Sequence, residues 1–218
     1  MTSHVELTNA KKFTADCEWV YRIRAARDIP EHGITAGELG GWCGNVAFPE
    51  CIAPTAWIAD EAEVYDMASV QDSAIVAGTA VVDCCAEVSG TARISGSARI
   101  TDDATVSGSS RVSGNVVVAG TTTIESCAVD GAGTITGHSV ITTSITVVGR
   151  LDNADIRQPH HYHTLVFSSG DQAAVYRTIT GQAALSRPEF LESMPESGRD
   201  LLREAQTAVL QLRPIEGE

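Results

Sequence analysis

The sequence predicts a mainly-β chain wound into a single-stranded parallel β-helix, and three spacings predict it. Val or Ile recurs at every sixth position from Val46 to Ile124, fourteen times out of fourteen. A small residue follows four positions later, Ala from Ala56 to Ala104 and then Ser110. Two positions after the aliphatic residue, ten of the twelve units from Ile58 to Ile124 carry Asp or Gly. An α-helix does not fit this pattern, because six residues rotate it by roughly 600° and leave successive aliphatics about 120° apart. A short strand followed by a corner does fit. The strand turns Val or Ile inward, the small residue fills the cramped interior, and Asp or Gly takes the left-handed backbone that a corner demands. Three such units close one triangular coil.

The spacing slips once. Val129 follows Ile124 after five residues, and Ile135, Ile141 and Val147 are expected to resume the step of six. The repeat therefore covers about residues 46–149, close to six coils, with a cap at 1–45 and a tail at 150–218. Burying an aliphatic side chain at each step contributes about 1.5–3 kcal/mol, so folding alone accounts for the periodicity. Residues eighteen apart stack: Asp60, Gly78, Gly96 and Gly114 on one corner, and Asp66, Cys84 and Asp102 on another.

A solenoid needs its open ends covered. At the N-terminal end Cys17–Ala25 reads as a strand, and Gly37–Trp42 as a tight glycine turn that leads into the first coil. Lys11, Lys12, Arg22, Arg24 and Arg27 place five of the fifteen basic residues there, which suits docking onto an acidic coil. In the tail, Thr164–Phe167 and Ala173–Arg177 read as a hairpin around Ser168–Asp171. A helix follows, with Ser197 and Asp200 as a capping pair and an apolar stripe from Leu201 to Leu212 before Pro214. An earlier short helix is expected near Ser186–Glu189.

Units such as Ile52-Ala53-Pro54-Thr55-Ala56 and Ile58-Ala59-Asp60-Glu61-Ala62 resemble the left-handed β-helix of the hexapeptide-repeat superfamily. The resemblance covers about half the chain and implies the left hand. The order of parts, with a WVYRIRA strand, a GELGGW turn, the prism and a VYRT-like strand, is similar to phage and bacterial β-helix proteins of the YdcK-like group. The wider superfamily includes trimeric acyltransferases and γ-class carbonic anhydrases. It implies a homotrimer and, on the acyltransferase reading, acyl-CoA with a coil histidine as general base. The coils hold one histidine, His138, and no loop is extruded from them to cover an acceptor. A γ-type zinc site wants three converging histidines, two of them from the coils. Beyond the prism, His161 and His163 form only a weak metal pair with no third ligand at a suitable spacing.

Fifteen basic residues against twenty-eight acidic ones give a charge of −13, which disfavours nucleic acid and anionic membranes. The six cysteines follow no disulfide framework and read as reduced thiols of a cytoplasmic protein. Between residues 56 and 150, eleven acidic residues against four basic give −7. Arg93 and Arg111 stack on one outer face as candidates for an acidic partner or a ligand phosphate. The expectation is a non-enzymatic binding or scaffold protein, phage-derived, without a cofactor, oligomeric, and showing acidic faces to a host protein. The alternative is an acyltransferase that uses His138.

Overall fold

A computed structural model of the chain describes residues 3–152, 154–156, 163–169 and 172–178. It is a β-solenoid. Three columns of inward side chains run its length. The first is Ile58, Val76, Ile94, Val112, Val129 and Ile145. The second is Cys43, Val64, Val82, Ile100, Val118, Ile135 and Leu151. The third is Ile52, Val70, Val88, Val106, Ile124, Ile141 and Ile156. Nearly all of these side chains are fully buried, together with the alanines from Ala56 to Ala104 and with Ser110.

The corners explain the Asp and Gly positions. Every one of the twelve positions from Asp60 to Ser126 has positive φ, including the two exceptions to the pattern, Cys84 at 55° and Ser126 at 51°. The corner aspartates do more than tolerate that backbone. Asp60, Asp72 and Asp102 each accept a hydrogen bond from the backbone N–H of the glycine stacked below, at 2.9, 2.9 and 2.8 Å. Asp66 accepts one from Cys84 at 3.3 Å. Each ties one coil to the next.

Two expectations for the repeat are corrected. Val46 is not the first inward residue: it is 90 % exposed, and Cys43 heads that column in its place. The segment between Cys43 and Cys51 leaves the coil, so the hexad spacing of Val46 is coincidental. After the slip the step of six resumes through Ile135 and Ile141, as expected, but breaks again before Val147. The strand Ala128–Thr136 runs through what had been a corner, and Ile145–Asp152 copies its path. Val147 is still buried but stacks on Gly131, while Ile145 continues the column below Val129. The coils shorten, and inward pairing reaches Ile156.

The N-terminal cap continues one face of the prism as antiparallel strands β1 (Val5–Phe13), β2 (Trp19–Ala25) and β3 (Leu39–Asn45), with β3 then pairing in parallel with Glu63–Asp66. Strand β1 has no apolar alternation and gave no sequence signal. The glycines of Gly37–Trp42 serve close approach more than turning. A Cβ on Gly41 would meet the Ile58 side chain at 2.5 Å and the Ala62 carbonyl at 2.6 Å, so only glycine lets β3 lie against the first coil. A 3-10 turn, Pro30–His32, links β2 to β3. At the other end, His163–Ser169 adds in parallel to Ile145–Asp152 and pairs antiparallel with Gln172–Thr178, the expected hairpin. The expected helices near Ser186–Glu189 and over 197–212 lie outside the described residues.

Candidate functional site

The cap is docked by polar contacts on two sides. Lys12 lies 2.9 Å from Glu63 and 3.6 Å from Glu61, and Arg22 lies 2.6 Å from Glu61. Trp42 donates its indole N–H to Glu61 at 2.8 Å, with Lys12 and Arg22 over its ring. The Arg22 and Trp42 hydrogen bonds hold the Glu61 carboxyl below its usual range. Much of the basic charge of the cap is thus neutralised against the first full coil.

On the other side the β1–β2 loop reaches down two coils. Arg99 lies 2.7 Å from Asp16 and 2.6 Å from Asp83. The Tyr65 hydroxyl sits 2.7 Å from Asp16 and 3.2 Å from Asp83. The bond from Tyr65, followed by those from Arg99, lowers the Asp16 pKa, while burial and these carboxylates push the Tyr65 phenol well up. The Asp83 side chain is 1 % exposed and its second oxygen has no hydrogen-bond partner. A buried carboxylate with one satisfied oxygen needs its arginine, which makes this a clamp rather than a loose surface pair.

Above the clamp lies the apolar surface. Among the residues whose side chains are described, the exposed large hydrophobic ones are Leu7, Phe13, Trp19, Leu39, Val46 and Met67, all on the cap and the turn of the first full coil. Two of them are in direct contact. Phe13 pairs with Trp19 across β1 and β2, their rings 3.8 Å apart, and Lys11 covers Trp19 at 4.3 Å. Trp19 backs onto Gly44. Asn45 and Asp66 are paired, and Val46 and Met67 are the residues that follow them. One sequence signal for this strip exists: Met67 occupies a corner position that is Glu61, Ser73, Thr79, Thr91, Ser97 and Asp103 in other units.

The residues singled out from sequence are not gathered into one site. Arg93 and Arg111 stack in register on an outer face, both exposed, with no ion pair to either among the described residues. His138 is exposed at a corner, where its Nδ1 hydrogen-bonds the hydroxyl of Thr121 stacked above it. His161 lies outside the described residues, and His163 begins the C-terminal hairpin, distant in the chain from the other candidates. No group of three metal-ligating side chains occurs among the described residues. No helix among them is long and apolar enough to cross a membrane.

An open cleft of about 690 Å³ lies at the seam of cap and first coil, lined by His4, Arg27, Glu50, Ile52, Pro54 and Gln71. Burial, and then Arg27, lower the His4 pKa, and its buried Nε2 has no protein partner. No known family, curated protein or solved structure matches this chain.

Proposed function

We propose that the chain is a non-enzymatic scaffold that self-associates through the apolar strip on its cap and presents acidic coil faces to a basic protein partner. The observation that carries this reading is that, among the residues whose side chains are described, every exposed large apolar side chain falls within residues 7–67. An apolar strip rimmed by polar groups is the usual mark of a protein contact. The hexapeptide-repeat resemblance makes a trimer the first assembly to look for. In support, His138 sits on an exposed corner with its ring engaged by Thr121 rather than in a cleft.

Light scattering on the purified chain tests the proposal. Wild type should be oligomeric at micromolar concentration, and the double substitution Phe13→Ser, Trp19→Ser should yield monomers with an unchanged circular dichroism spectrum. A monomeric wild type would sink self-association. An acyl-CoA-dependent rise in melting temperature that disappears in His138→Ala would sink the non-enzymatic reading.

A further inference from the structure

The first coil contains a pair of buried thiols. Cys43 heads the second inward column and Cys51 precedes the head of the third, so the excursion through Val46 brings them together. Their sulfurs are 3.8 Å apart, and both side chains are buried. A disulfide needs about 2 Å between sulfurs, so the closing movement is about 2 Å. The geometry points to Cys43 and Cys51 as a redox modification site: a dithiol that a small peroxide closes to a disulfide.

The two sulfurs are not equivalent. The Cys51 thiol, helped by the Asn45 backbone N–H and opposed by burial, lowers the Cys43 pKa, while the same contact and burial push Cys51 up. That division suits a nucleophile and its resolving partner. The cleft adjoins the pair, since its wall residues Glu50 and Ile52 flank Cys51 in the chain and Gln71 donates to the Cys51 carbonyl at 3.4 Å. Cys43 thiolate attacks one oxygen of hydrogen peroxide, the O–O bond breaks, and hydroxide leaves with the electron pair and takes up the proton lost by Cys43. Cys51 then attacks the sulfenic sulfur, and its proton departs with the oxygen as water when the S–S bond forms. In sum, two thiols and one hydrogen peroxide give one disulfide and two waters.

Cys17 and Cys127 are internal controls: the first is exposed, and the second is buried with its thiol pushed up to about 12 by desolvation. The folded full chain is treated with hydrogen peroxide, quenched, unfolded without reductant, labelled with N-ethylmaleimide and mapped by mass spectrometry. Cys43 and Cys51 should both escape the label, their peptide should be two hydrogens lighter, and dithiothreitol should restore labelling, while Cys127 is labelled throughout. In Cys51→Ala, dimedone should trap Cys43 as the sulfenic acid. Full labelling of Cys43 and Cys51 at a dose that oxidises Cys17 overturns the proposal. So does a disulfide from Cys51 to Cys84 or Cys85. Should Cys51→Ala not fold, the wild-type peptide mass decides alone. The inference is independent of the scaffold reading, because labelling does not depend on oligomeric state.

Discussion

Single corner residues carry more of this fold than their size suggests. Asp72 sits at φ 54° and accepts the N–H of Gly90 at 2.9 Å. Asp72→Ala removes that bond and leaves a residue that lacks the local hydrogen bonding with which Asp offsets left-handed backbone, costing roughly 1–2 kcal/mol in urea unfolding. Asp72→Asn should recover most of the loss. Gly108→Ala combines φ +66° with a Cβ 2.2 Å from the Ser126 hydroxyl, and should cost more than 1 kcal/mol unless Ser126 rotates away. The double change Gly108→Ala, Ser126→Gly should recover part of it by removing that hydroxyl. These corners were legible in the sequence, because an Asp or Gly every sixth residue is a backbone requirement written as a residue type. Val46 was misleading for the same reason, since periodicity assigns a face and cannot tell a coil residue from one that coincides with the period in an excursion.

At the scale of elements, the cap is held by groups whose charge depends on pH, and two windows separate. His4 and His32 both have lowered pKa values, caused first by burial, with Arg27 acting on His4 and the Thr55 backbone and Glu31 opposing on His32. The unfolded chain binds those protons at about 6.5 and the folded chain below it, so this stability is complete above about pH 6.5 and declines as the pH falls through the folded values. The Asp16 carboxyl is lowered as well, so its contribution is intact above about pH 4 and is lost only in stronger acid. Melting temperature against pH should therefore show a first decline below about 6.5 that His4→Gln reduces, and a second below about 4 that Asp16→Asn reduces, with Glu61 carrying the remainder. Arg99→Ala is the more severe change, because it strands the Asp83 carboxylate in the interior, and should cost roughly 3 kcal/mol. None of the clamp was legible from sequence: Asp16 and Arg99 are 83 residues apart and become neighbours only when the β1–β2 loop folds down two coils. The hairpin at the other end was legible, since its two β-rich runs are adjacent in the sequence.

In the whole molecule, regularity and irregularity are divided by position. The middle coils repeat at eighteen residues with fully buried columns, and the features that distinguish the protein gather at the end where the repeat is broken: the clamp, the cleft, the dithiol and the apolar strip. The terminal strand of the sheet is β1, and its outer edge would invite uncontrolled strand addition. The irregular pairing between Leu7 and Lys11, with Lys11 and Lys12 beside it, blunts that edge, which directs association to side chains rather than to backbone. A solenoid also limits how far damage spreads, because each coil touches only its neighbours. Ile94→Ala removes a fully buried side chain from the centre of one column and should cost about 2–5 kcal/mol. Hydrogen exchange on that variant should show lost protection in the rungs it pairs with, Ile75–Val76 and Arg111–Val112, ahead of any loss in β1 and β2. A uniform loss across the cap and all coils would mean instead that the clamp couples the cap to the stack strongly enough for the two to open as one unit.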